Sequence, residues 1–173
     1  MGLFDKLLGK ESNEDISIQA ETGVVYSPMS GKIIPIKEIG DGVFSEEILG
    51  PGCGIEPNEE VVIAPFDGTI STVAETKHAI GITSNEGVEL LIHVGMDTVS
   101  MNGDGFTVKV QVGQKVHAGQ SLLSFSLEKI KTAGHPTVAA IVFTNSDEIS
   151  INEPFVLGDV KKGNPVARVE KNI

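Results

Sequence analysis

The chain has 173 residues, 40% of them hydrophobic, with 13 basic against 24 acidic side chains and a formal charge of −11. That length suits one domain with a sizeable core. The acidic balance, with no Trp and a single Tyr, argues against nucleic acid as a partner and favours proteins with a basic docking face. Cys53 is the one cysteine, so no intramolecular disulfide can form and a reducing, cytoplasmic compartment fits best.

Along the chain, Leu3, Phe4, Leu7 and Leu8 share one helical face, while Asp5 and Lys6 interrupt any signal-peptide core. Such a segment suits a short amphipathic helix at the inner face of a membrane and equally a frayed tail, because two turns are marginal as a helix in water. Glu11 to Thr22 is polar and acidic and reads as a linker. Residues 1–22 are therefore expected to form a flexible tail, and residues 23–173 a domain. No stretch approaches transmembrane length.

From Val24 onward, short apolar segments alternate with Gly, Pro, Asn and Asp, the pattern of an antiparallel all-β sandwich or barrel. The expected strands are Gly31–Ile36, Val61–Pro65, Gly68–Val73, Ala79–Thr83, Val88–Val94, Phe106–Val110, Ser121–Ser126, Thr137–Thr144 and Pro165–Val169. Only Leu127–Ala133 predicts a short helix, ended by Gly134. Two internal echoes stand out. Val25-Tyr26-Ser27-Pro28-Met29-Ser30-Gly31 repeats as Val62-Ile63-Ala64-Pro65-Phe66-Asp67-Gly68, and Val116-His117-Ala118-Gly119 as Val160-Lys161-Lys162-Gly163. Together they predict a duplicated β-motif, although repeated hairpin chemistry would produce the same pattern.

Chemistry centres on His93, set in Val88-Glu89-Leu90-Leu91-Ile92-His93-Val94-Gly95. An imidazole in so apolar a strand is either a satisfied structural group or one held rigid for reaction. Strand alternation puts Leu91 and His93 on one face, and Leu90, Ile92 and Val94 on the other. His78 precedes it by one hairpin, and Thr76, two residues earlier, would share the face of His78 and could fix its tautomer. Neither H-x-H nor H-E-x-x-H occurs, which argues against an autonomous zinc enzyme. G-x-S-x-G is also missing, and Cys53 has no adjacent base. One use left to a histidine pair is group transfer, with one ring carrying the group and the other stabilising it. Asp41-Gly42-Val43-Phe44-Ser45-Glu46-Glu47-Ile48-Leu49 places apolar residues inside an acidic rim, which suits a docking surface as well as an ordinary loop. His117, in a polar turn, and His135, before Pro136, are poor candidates.

These residues carry a resemblance. Gly87-Val88-Glu89-Leu90-Leu91-Ile92-His93-Val94-Gly95-Met96-Asp97-Thr98-Val99 with Gly103-Asp104-Gly105-Phe106 resembles the active-site signature of the glucose-type IIA component of the bacterial phosphoenolpyruvate-dependent sugar phosphotransferase system. Ala64–Ile70, Glu75–Ala79, Val43–Glu46 and Asn145–Ile149 extend the likeness over nearly the whole chain from Val24, and Met1–Leu7 resembles the start of the stand-alone enteric member. The resemblance implies a β-sandwich of duplicated hybrid motifs, a phosphotransferase component with His93 as phosphoryl acceptor through Nε2, His78 as the group stabilising phosphohistidine, and Thr76 bonded to His78. It implies a histidine phosphocarrier protein as donor and a IIB domain of a sugar permease as acceptor. Val43, Phe44, Ile48, Leu49, Leu91 and Asp97 would form the docking surface. It also implies a zinc ion shared by His78 and His93 at the interface with a regulated transporter or enzyme in some members, and membrane contact by the tail. Gly42 and Ala74 stand where bulkier apolar residues are common in the enteric pattern, which thins the contact patch, and Ser100 replaces an acid. The competing classes are a regulatory binding module without phosphotransfer and a lipoyl-type carrier, for which Glu75-Thr76-Lys77-His78-Ala79 is the nearest motif.

Overall fold

The two echoes in the sequence meet in space. In the computed structural model, which describes residues 15–173, the Tyr26 N–H donates to the Pro65 carbonyl (2.8 Å), and its counterpart, the Ile63 N–H, to the Pro28 carbonyl (2.9 Å). The Ser27 N–H donates to the Asn164 carbonyl and the Ala64 N–H to the Gln120 carbonyl, both at 2.8 Å, while the Gly163 and Gly119 N–H groups return to Ser27 and Ala64 at 2.8 and 2.9 Å. Side chains obey the same relation: the Lys162 N–H donates to Ser30 Oγ (2.9 Å) and the Ala118 N–H to Asp67 Oδ1 (2.8 Å). Each half thus satisfies the backbone groups of the other, and the duplicated architecture is an approximate two-fold within one domain.

The strands are β1 (Val24–Tyr26), β2 (Gly31–Pro35), β3 (Gly52–Pro57), β4 (Val61–Ile63), β5 (Gly68–Val73), β6 (Ala79–Ser84), β7 (Glu89–His93), β8 (Phe106–Val108), β9 (Lys115–Val116), β10 (Ser121–Phe125), β11 (Ala139–Phe143), β12 (Ile149–Glu153), β13 (Gly158–Val160) and β14 (Pro165–Lys171). Among the described residues they form an antiparallel sheet ordered β13-β2-β3-β11-β7-β6-β5-β9 and two small ones, β1-β14-β12 and β4-β10-β8. The helix α1 (Leu127–Thr132) begins where Ser126 Oγ accepts the Lys129 N–H at 3.1 Å, and Gly134 turns the chain away from it at φ 87°. The all-β reading holds.

The main core is mostly aliphatic and draws from both halves: Val25, Met29, Ile33 and Ile55 pack with Val62, Ile70, Ile80, Ile82, Leu90, Ile92 and Ile141. A second cluster, with Phe44, Met96, Val138, Ala140, Val142 and the partly buried Leu91, includes the outward residues of β7 and β11. On β7, Leu90 and Ile92 are buried while Leu91 and His93 are only partly so, the alternation expected from the sequence.

β3 escaped the strand pattern because Gly-Cys-Gly-Ile-Glu-Pro carries the residues that usually break strands. Here glycine is required: a Cβ on Gly52 would run into the Ile141 carbonyl of the adjacent strand. β1, β9, β12 and β13 were likewise missed, being short or polar.

The linker expected over Glu11–Thr22 needs correcting from Asp15 onward. The Ile16 N–H donates to the Gly119 carbonyl (2.9 Å), Asp15 Oδ1 accepts the Ser121 N–H (2.7 Å), and Ile18 packs on Val24, Tyr26 and Ala118. Polar composition concealed an isoleucine at every second position, Ile16 and Ile18. The amphipathic segment expected over Leu3–Leu8 lies outside the described residues. No described helix is long and apolar enough to cross a membrane.

Candidate functional site

His93 ends β7, flanked by β6 and β11. Its cross-strand neighbours are Ala79 and Ala140, small side chains that leave room on that face for a ring. The loop between β5 and β6 brings in His78, just before Ala79. The Val94 N–H donates to the His78 carbonyl at 2.8 Å, which locks the two histidine-bearing segments together. The rings stand edge to face, centroids 4.6 Å apart at 84°.

The tautomer of His93 follows from one contact. Its Nδ1 lies 2.9 Å from the Gly95 carbonyl oxygen. A carbonyl only accepts, so Nδ1 carries the proton and Nε2 keeps a free lone pair. That carbonyl is aimed by its surroundings: Gly95 takes φ 75°, the Thr98 hydroxyl donates to the Val94 carbonyl at 2.6 Å, and the Met96 N–H donates to the Pro136 carbonyl at 3.1 Å. Gly95→Ala is therefore expected to cost about 1–3 kcal/mol, measurable as a lower denaturation midpoint. The new Cβ would lie 2.5 Å from Thr98 Cγ2, in a backbone conformation that alanine disfavours.

His78 is buried, and its Nδ1 lies 2.9 Å from Thr76 Oγ1. When that hydroxyl donates, His78 presents Nε2–H, the complement of the bare Nε2 on His93; Thr76 also supplies a backbone bond that favours the charged ring. The residue pair can thus serve a neutral or a protonated His78. Phe106 stands edge-on to His78, 6.4 Å between centroids.

Burial pushes both histidines below their ordinary range. For His93, desolvation comes first and the charge of His78 second; the Gly95 bond and the Asp41 carboxylate oppose them, leaving the value at about 4. For His78 desolvation outweighs the Thr76 bond. Both rings are therefore neutral near pH 7, and His93 is available as a nucleophile. The same depression carries a stability consequence. Between the ordinary 6.5 and about 4, the unfolded chain binds protons that folded His93 refuses. Its contribution is whole above pH 6.5 and lost as pH falls toward 4. Denaturant titrations across that window are expected to show an acid loss from this group of at most about 3 kcal/mol, absent in His93→Ala.

The rim comes from the loop between β2 and β3. Asp41 accepts the Phe44 N–H on Oδ2 (3.0 Å) and the Ser45 N–H on Oδ1 (2.9 Å), and Ser45 Oγ accepts the Gly42 N–H (2.9 Å). The turn tips Phe44 inward, its ring 4.9 Å from that of His93. Val43 (44%), Ile48 (67%) and Leu49 (44%) remain exposed. Leu91 shares the His93 face of β7, and Asp97 stands exposed two residues past Gly95, at φ 60°. Sequence reasoning missed Asp41 and Thr98 as organisers; for Asp41 the available signal was the Asp41-Gly42 dipeptide, which marks a turn. Cys53 is buried in the main core, and burial pushes its thiol pKa up, which removes it as a nucleophile. His117 sits in a turn with its Nδ1 3.2 Å from the neighbouring Ala118 carbonyl oxygen, and His135 Nε2 bonds Ser100 Oγ at 3.0 Å; neither joins the pair.

A neutral imidazole with a bare Nε2 beside a second imidazole is suited to carrying a transferred group. Residues 23–149 match the family described as phosphoenolpyruvate-dependent sugar phosphotransferase system, EIIA 1. The chain belongs to that family. It is similar to the glucose-specific EIIA component of Halalkalibacterium halodurans, 40% identical over 93% of this chain and 94% of that one. It is also similar to a beta-glucoside-specific EIIBCA component of Bacillus subtilis, 43% identical over 91% of this chain, which spans about a quarter (26%) of that longer protein. Glucose permease IIA from Mycoplasma capricolum shares the fold at TM-score 0.78, with 36% identity over 89% of this chain and 99% of that one. As an EIIA component the chain is a phosphoryl carrier of the sugar phosphotransferase system. The lipoyl alternative falls with this: at the candidate lipoyl position the EIIA chain has His78, whose ring is turned into the site.

Proposed function

We propose that His93 accepts the phosphoryl group on Nε2 and that His78, oriented by Thr76, stabilises it. The observation that carries this reading is the His93 Nδ1–Gly95 bond, which leaves Nε2 bare beside His78. The Nε2 lone pair attacks phosphorus as the bond to the donor breaks, and the ring, still holding its Nδ1 proton against the Gly95 carbonyl, takes on positive character. The incoming group brings about −1.5 to −2 charge onto an acidic protein, and the His78 Nε2–H offsets part of it.

In this reading the donor is a histidine phosphocarrier protein and the acceptor a IIB domain of a sugar permease, with the chain acting in the cytoplasm and its tail touching the inner membrane face. Val43, Ile48 and Leu49 form the exposed apolar docking patch, with Leu91, Phe44 and Asp97 adjoining it. An exposed apolar centre within charged residues is ordinary interface anatomy. Zinc would find half a site here: two imidazole nitrogens against the four ligands of a tetrahedral ion. Among the described residues no group of three His, Cys, Asp or Glu could hold a metal, so a partner carboxylate would have to complete it.

The test is incubation with phosphoenolpyruvate, the first enzyme of the system and the histidine phosphocarrier. Acid-labile label on His93 is expected; label on another residue, or none, would refute the assignment.

A further inference from the structure

We infer that Asp41 and Phe44 form a built-in water shield: the Asp41 turn holds the Phe44 ring beside His93 and so sets how long a phosphoryl group survives there. The inference rests on His93 carrying that group, and deepens it. Phe44 is the exception among the large apolar residues between Val43 and Leu49. Its neighbours Val43, Ile48 and Leu49 are 44%, 67% and 44% exposed, yet Phe44 is only 6% exposed. It belongs to no strand. Packing on Met96, Val138, Ala140 and Val142 covers its ring, and the turn fixes its backbone: one carboxylate accepts the N–H groups of both Phe44 and Ser45, Ser45 Oγ accepts the Gly42 N–H, and the Phe44 carbonyl accepts the Glu47 N–H at 2.9 Å. Burial would raise the Asp41 pKa, but bonds from the Ser45, Phe44 and Val43 N–H groups outweigh it and lower it, so the clasp stays charged. Charge-assisted bonds of this kind are the strong ones.

The Phe44 ring lies 4.9 Å from the imidazole of His93 at 56°, and the ring of His78 flanks it at 4.6 Å. Two flanks of His93 are thus covered by rings, one apolar and one a hydrogen-bond donor. Loss of the group to water needs an O–P bond to form as the Nε2–P bond breaks, the electron pair returning to Nε2 and a water proton passing to solvent or to the freed ring. Water must be oriented and deprotonated for this, and a phenyl ring offers neither an acceptor nor a donor. A protein acceptor brings its own dry surface and nucleophile from the open side. The shield therefore slows the wrong acceptor while leaving the right one its approach.

The experiment follows release of inorganic phosphate from labelled protein separated from its donor proteins, with thermal unfolding measured alongside. Phe44→Ala is expected to shorten the label's lifetime on the order of tenfold, and Phe44→Leu to stay near the wild type. Asp41→Ala should also shorten it, although Phe44 is still present. Asp41→Asn, whose amide oxygen accepts one of the two N–H groups, should recover part of the loss. An unchanged lifetime in Phe44→Ala, with slower transfer to partners, would overturn the inference and leave Phe44 a docking residue. Unchanged lifetime in Asp41→Ala would remove the turn from the argument and overturn the inference too. Failure of the wild type to label at His93 is a separate result that refutes the proposed function itself.

Discussion

His93→Ala is expected to lose phosphoryl acceptance by at least about 10³-fold while keeping its fold. The loss follows from chemistry. Nε2 of His93 is the bare imidazole nitrogen that the Gly95 carbonyl sets up, and His78 cannot replace it while its Nε2 is spent as a donor. Preservation of the fold follows from position. His93 is on the outward face of β7, between Ala79 and Ala140, whereas the main core is built by Leu90 and Ile92 on the opposite face. Removing a ring that burial keeps neutral also removes the acid penalty described above, so the variant should be the more resistant of the two to pH 5. Quantitative labelling from phosphoenolpyruvate, with denaturation curves at pH 7.5 and 5, checks both halves. A variant that still labels to the wild-type extent would disprove the assignment of His93.

His78→Ala is expected to accept the group and fail to pass it on, with onward transfer to a IIB domain reduced about 10²–10³-fold. Acceptance needs the bare Nε2 of His93, and the Gly95 bond that prepares it does not involve His78. In the proposed onward transfer the group leaves His93, and His78, with the Thr76 hydroxyl donating to its Nδ1, would present Nε2–H to it. Thr76→Val should show a weaker form of the same defect, because it leaves the ring but removes the hydroxyl that sets its tautomer. Single-turnover labelling and chase with a IIB domain separates the two steps. Equal loss in both steps would show that His78 prepares the nucleophile instead.

Much of this was legible from local pattern. Alternation along Glu89–His93 assigned the faces of β7 because side chains in a strand alternate with period two, and the repeated Pro-x-x-Gly and turn glycines announced the duplication. The failures were local as well. β3 reads as a broken segment because Gly52 is demanded by the backbone of a neighbouring strand that sequence adjacency does not reveal. Asp15, Ile16 and Ile18 read as linker because their partners, Ser121, Gly119 and Ala118, are a hundred residues or so further along the chain.

The sequence by itself determined the all-β class, the duplicated motif and the candidates His93, His78 and Thr76, since each depends on residue type and near spacing. Only the tertiary structure decided that the two rings meet edge to face, that the Gly95 carbonyl bares Nε2, and that Asp41 turns Phe44 onto His93. The ring contacts join separate loops and strands, brought together by the backbone hydrogen bonds of β6, β7 and β11, and the local His93–Gly95 bond depends on a Gly95 conformation braced by Thr98 and Pro136.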